Sequence, residues 1–123
     1  MPLHVRLLVF VFLLTATACG SSSTPTYGGG GGGGGGCTST SNSITIADFS
    51  FSPSCTTVPL NTVVTWTNNG PTAHTTTSDV AGQWDSGQMA ATNTYPHTFN
   101  SAGAFAYHCT NHSSMMATIV VTP

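Results

Sequence analysis

Charge is what this chain lacks most. Charged residues make up 3% of it, where about a quarter is usual. It has no lysine and no glutamate; Arg6 is the only strong base, and Asp48, Asp79 and Asp85 are the only acids. Without clustered cations the surface cannot grip nucleic-acid phosphates or draw itself to anionic lipid. A salt-bridged helical bundle is excluded too, since its outer faces need Glu, Lys and Arg. Polarity comes instead from 22 threonines and 14 serines. Threonine and valine suit a pleated, half-buried surface, so the composition predicts an exported all-β protein.

A long apolar run is also missing. Leu7 to Ala18 is apolar for only twelve residues, and a membrane-crossing helix needs about twenty. Preceded by the short basic start Met1 to Arg6, it reads as a signal peptide over residues 1–18. Its end, Ala16-Thr17-Ala18-Cys19-Gly20, resembles the processing site of bacterial lipoproteins, which would leave Cys19 acylated. Ordinary secretory cleavage at Ala16-Thr17-Ala18 is the alternative. Residues 19–36 then form a Gly/Ser-rich disordered linker, with nine consecutive glycines from Gly28 to Gly36. Such a chain behaves as a flexible coil spanning roughly 20–25 Å. The folded domain is expected over residues 37–123.

Within that domain the strand signals are short and regular. Ile44 and Ile46 alternate, and the phase then shifts to Phe49 and Phe51 across Asp48, which predicts a bulge or bend. Val64 and Trp66 share a face, and Asn69-Gly70-Pro71 marks a turn. Tyr95, His97 and Phe99 share a face, as do Phe105, Tyr107 and Cys109, and then Ile119 and Val121. No amphipathic helix is evident, and residues 78–92 read as irregular or briefly helical. Short strands at this spacing predict a sandwich or barrel.

Four cysteines remain to be placed. Processing accounts for Cys19. Cys37 and Cys55 flank the first strand region, and in an oxidising compartment they are expected to pair. Closing that loop stabilises by ~3 kcal/mol in the chain-entropy account. Cys109 is left without a partner, and metal ligation is the obvious explanation.

Cys109 lies in Cys109-Thr110-Asn111-His112-Ser113-Ser114-Met115-Met116. A Cys-x-x-His-x-x-Met segment can bring thiolate, imidazole and thioether to one point. His74, just beyond the 68–73 turn, can supply a second imidazole. A lone Cys-x-x-His also fits zinc, but two histidines, a thiolate and a distant methionine form the blue-copper donor set. Met115 and Met116 compete for the axial place; Met115 shares its alternation with Ala117, Ile119 and Val121. His97 reads as a packed histidine, and His108 as pointing away from the Cys109 face. Trp66 and Trp84 read as packing residues.

On these residues the chain resembles the cupredoxins, and within them the plastocyanin- and amicyanin-like small blue copper proteins. The stretches VVTWTNNGPTAH, YPHTFNSAGAFAYHC and CTNHSSMMATIVV carry the likeness over nearly all of residues 43–122. The resemblance implies a Greek-key β-sandwich of about seven or eight strands. It implies one mononuclear type 1 copper ion on His74, Cys109, His112 and Met115, with His112 near the surface. Ala73 and Asn111 stand where prolines are common in the family. Thr75 replaces an asparagine that usually helps to hold the cysteine region.

The expected function is a one-electron carrier cycling Cu(I)/Cu(II), with transfer through the edge of His112. No enzyme activity is expected. The chain has no His-x-His pair for a trinuclear centre and one cysteine in the ligand loop where a binuclear centre needs two. The expected partner is a redox protein of the cell envelope, met by a monomer through an apolar patch near His112 that includes Pro71 and Ala73. The competing reading is copper sequestration or delivery by the same ligands. A metal-free structural module would leave Cys109 unexplained.

Overall fold

The computed structural model describes residues 37–123. The expected signal peptide, Cys19 and the linker to residue 36 lie outside the described residues.

The alternating β-branched and aromatic positions form eight strands: β1 (Ser43–Ala47), β2 (Ser50–Ser52), β3 (Cys55–Pro59), β4 (Val63–Asn68), β5 (Thr77–Ser78), β6 (Thr94–Thr98), β7 (Gly103–Cys109) and β8 (His112–Thr122). They make two four-stranded sheets, ordered β2-β1-β4-β6 and β3-β8-β7-β5. β1 runs parallel to β4 and β3 parallel to β8; the other neighbours are antiparallel. No helix occurs among the described residues, so the expected all-β sandwich is the observed architecture. The stretch after β5 is irregular, pinned by single bridges between His74 and Met89 and between Thr77 and Asp85.

The sheets close on one apolar cluster. Ile44, Ile46, Val64 and Trp66 come from one sheet, and Val58, Tyr107, Ile119 and Val121 from the other. Trp66 is the hub: its ring stacks on Trp84 at 5.9 Å and meets Tyr107 edge-on at 5.5 Å. His97 leans on Trp84 at 5.1 Å and meets Phe99 edge-on at 4.9 Å. Burial lowers the His97 pKa, as it does for an imidazole taken from water. It is a packed residue, as its shared face with Phe99 predicts. Cys37 and Cys55 are disulfide-bonded, and the Thr57 N–H donates to Ser39 O at 2.8 Å, so the domain entry is tied to β3.

One local expectation needs correcting. The phase shift at Asp48 is neither a bulge nor a bend within one strand. It is a reversal, with β1 and β2 paired antiparallel and Ala47 opposite Ser50. Asp48 and Phe49 are the whole turn, and Phe49 takes the left-handed conformation at φ 67°. Glycine or asparagine ordinarily fills such a position. Phe51 points into the core, but Phe49 is 61% exposed.

Candidate metal centre

Two local devices build the centre. The first is Asn68, the fully buried last residue of β4. Its Nδ2 donates to Thr72 O at 2.8 Å and Met89 O at 2.9 Å, and its Oδ1 accepts the Gly70 N–H at 3.0 Å. These bonds shape the loop that delivers His74. Backbone bonds in both directions between His74 and Met89 then hold it. The second device is the hairpin between β7 and β8. The register shifts at His108/Cys109, and Cys109 and His112 become cross-strand partners around the turn Thr110-Asn111. Cys-x-x-His is therefore the closing pair of a hairpin.

His74 and Cys109 are fully buried, while His112 is half-buried. Both imidazoles turn Nδ1 toward the sulfur. Sγ of Cys109 is 3.7 Å from His74 Nδ1 and 3.7 Å from His112 Nδ1, and the two nitrogens are 3.1 Å apart. The circle through those three atoms has a radius of about 2.0 Å, which is bonding distance from a metal to imidazole nitrogen and a little short for sulfur. Among the described residues this is the only group of three or more His, Cys, Asp or Glu side chains able to hold a metal.

Thr75 and Asn111 brace the set. The Thr75 N–H donates to Cys109 Sγ at 3.3 Å, a charge-assisted bond once the sulfur is thiolate. The Thr75 hydroxyl accepts the Thr110 N–H at 2.9 Å and lies 2.9 Å from the Thr77 hydroxyl. So threonine ties the cysteine loop to the His74 loop. Asn111 Nδ2 donates to Ala73 O at 2.9 Å, and the Asn111 and Gln88 side-chain amides exchange two bonds at 2.8 and 3.0 Å. Hydrogen bonds thus lock the loops at Ala73 and Asn111. Thr75→Val keeps the shape but strands the bonds to Oγ1. The metal-free domain is expected to lose about 1–2 kcal/mol, read from the urea midpoint at unchanged slope.

The remaining side chains fall into two sets. Met115 is buried on the inward face of β8, whereas Met116 is 60% exposed on the other face. His108 points away from the centre and hydrogen-bonds Asp79 Oδ1 at 2.5 Å. Two contacts have no counterpart in the sequence reading. Asp48 Oδ1 lies 3.5 Å from His74 Nε2, and the Phe49 ring meets His112 edge-on with centroids 5.0 Å apart. Their only sequence trace was the phase shift across Asp48.

The donors fit a soft, trigonal site. One thiolate and two imidazoles with a methionine buried on the adjoining strand is the arrangement copper favours over zinc. The His74, Cys109 and His112 set is compatible with a mononuclear type 1 copper ion.

Comparison with known proteins agrees. The family described as copper binding proteins, plastocyanin/azurin family, matches residues 38–122. The fold is similar to a purple cupredoxin from Nitrosopumilus maritimus, with TM-score 0.61 and 22% identity over 65% of this chain and 98% of that one. A reduced amicyanin variant is similar at TM-score 0.61 and 28% identity, over 65% of this chain and 80% of that one. A copper-containing nitrite reductase from Thermus scotoductus superposes at TM-score 0.61 and 22% identity, over 66% of this chain but 22% of the reductase. No curated protein sequence matches the chain.

Proposed function

This chain belongs to the plastocyanin/azurin family of copper-binding proteins, and on that premise we propose that it carries single electrons outside the cytoplasm. The observation that carries the proposal is the convergence of two Nδ1 atoms on the buried Cys109 sulfur. In this reading His74, Cys109 and His112 would hold the ion, with the buried Met115 as a fourth, thioether donor. Copper bound there supplies a one-electron couple between Cu(I) and Cu(II).

The chain's own residues supply the rest. Thiolate and thioether suit Cu(I), and imidazole tolerates Cu(II), so one donor set serves both states. Three of the four ligands lie on strands or at a strand junction, and hydrogen bonds from Asn68, Thr75 and Asn111 hold the loops between them. A braced site reorganises little when its charge changes. His112 is the half-buried ligand, so electrons enter and leave by its edge. Phe49 beside it is exposed, as are Pro71 and Ala73 on the loop that leads to His74, and together they offer apolar surface to a redox protein of the cell envelope. The described residues carry neither lysine nor arginine, so steering by charge is weak, and transfer rates nearly independent of salt are expected.

The chain has no His-x-His pair and one cysteine in the ligand loop, which favours a carrier over an oxidase. The first 18 residues serve as the export signal in this reading, with Cys19 acylated and residues 19–36 as the tether. The test is a visible spectrum of the domain loaded with Cu(II). An intense band at about 600 nm that bleaches with ascorbate and returns on reoxidation supports the proposal. A weakly coloured complex, or metal lost quickly to a chelator, overturns it in favour of zinc binding or copper delivery.

A further inference from the structure

Two consecutive residues on one turn touch both imidazoles of the centre. Asp48 reaches His74 at the nitrogen facing away from the sulfur, at 3.5 Å. Phe49 sets its ring perpendicular to that of His112, with centroids 5.0 Å apart. Three features show that the turn is built for this. Phe49 holds the left-handed conformation, which a bulky side chain rarely adopts, and that places an exposed aromatic ring beside the site's outermost ligand. Gly70 backs the carboxylate: a Cβ there would stand 2.4 Å from Asp48 Oδ1 and 3.1 Å from Asp48 N. Gly70 lies outside the left-handed region, so its missing side chain makes room for Asp48 rather than for an unusual backbone. The Asn69 N–H donates to Ile46 O at 2.8 Å, docking the 69–70 segment against the end of β1.

We propose that the Asp48-Phe49 turn is the positioning element of the copper centre. Asp48 fixes the tautomer and orientation of His74, and Phe49 shields and orients His112. This rests on the reading of both histidines as copper ligands. A carboxylate at Nε2 keeps the proton there and leaves the Nδ1 lone pair facing Cys109, the arrangement that makes a ligating histidine more basic. No lysine or arginine occurs among residues 37–123, and the Asp48 side chain is 36% exposed. Its negative charge therefore acts on the His74 side of the centre without a competing cation. That favours the oxidised ion, which carries one more positive charge. Phe49 acts in the opposite sense: it keeps water from His112, and water stabilises the more highly charged state.

The two residues should thus move the reduction potential in opposite directions, which a general loosening of the turn would not do. Asp48→Asn is expected to raise the potential by about 59 mV, a tenfold change in the Cu(I)/Cu(II) ratio for a one-electron couple. Gly70→Ala, which displaces the carboxylate without removing it, should shift the same way. Phe49→Ala should lower it. A second readout needs no copper. Nitrogen-15 NMR of the metal-free domain should place the His74 proton on Nε2 in the native sequence and distribute it between the two tautomers in Asp48→Ala, which leaves no oxygen to accept it. Unchanged potentials, shifts of the same sign for Asp48→Asn and Phe49→Ala, or a His74 tautomer indifferent to Asp48 would overturn the proposal. If native protein with Cu(II) shows no charge-transfer band, the carrier reading fails, while the His74 tautomer still decides the role of Asp48.

Discussion

Cys109→Ser is expected to abolish the visible band of the copper-loaded domain while leaving the domain folded. The sulfur is fully buried and receives the Thr75 N–H. Serine is slightly smaller and can accept the same bond, so metal-free stability should stay within about 1 kcal/mol of the native protein. The electronic consequence is much larger. An alcohol at that position does not ionise near neutral pH, and its oxygen is a hard donor that suits Cu(I) poorly. Intense colour depends on charge transfer from thiolate, so absorbance at about 600 nm should fall at least tenfold. Metal-free urea melts and spectra of the loaded protein, measured together, separate the two effects. A retained band would mean that another group supplies the charge transfer, and the assignment of Cys109 would fall with it.

Those parts of the centre that lie close together along the chain could be read from the sequence. Cys109, His112 and Met115 sit within seven residues, and a hairpin brings the first two together through local geometry alone. Their donor types narrow the chemistry before any fold is known. His74 required one further step, since a site with one imidazole lacks a ligand. The braces were out of reach. Asp48 bonds a residue 26 positions away, Thr75 one 34 positions away and Asn111 one 38 positions away. No local pattern encodes such pairings. The hairpin at Asp48-Phe49 escapes local sequence rules for a different reason. Turn rules look for glycine or asparagine at a left-handed position, and here phenylalanine occupies it. Its alternation with Phe51 suggested a shared face, yet one ring lies in the core and the other beside His112. Strand order was likewise absent from the periodicity, because the parallel pairs β1/β4 and β3/β8 join segments distant in sequence.

With so few charges, the fold stands on its core, and Trp66→Ala should show how heavily. Trp66 is fully buried and contacts Trp84, Tyr95 and Tyr107. Truncating a buried tryptophan costs about 3–5 kcal/mol, because transfer energy and packing are both lost. For a domain of this size that is a large share of a total of about 5–10 kcal/mol. The carboxylate contacts of this kind among the described residues are two aspartates beside histidines, which contribute little to compensate. The control is Tyr107→Phe. Tyr107 is buried against Trp66, and burial pushes its pKa well up. Neither the Tyr107 hydroxyl nor Trp66 Nε1 meets hydrogen-bond geometry with any partner. Removing a buried hydroxyl that makes no bond forfeits nothing and relieves a desolvation cost. Tyr107→Phe should therefore melt within about 1 kcal/mol of the native protein, or above it, while Trp66→Ala falls by about 4 kcal/mol. Both residues lie in the same cluster, and Tyr107 stands two positions before Cys109 on β7. If Tyr107→Phe proved as damaging as Trp66→Ala, the hydroxyl would have to be bonded, and the core would owe its stability to a polar contact rather than to aromatic packing.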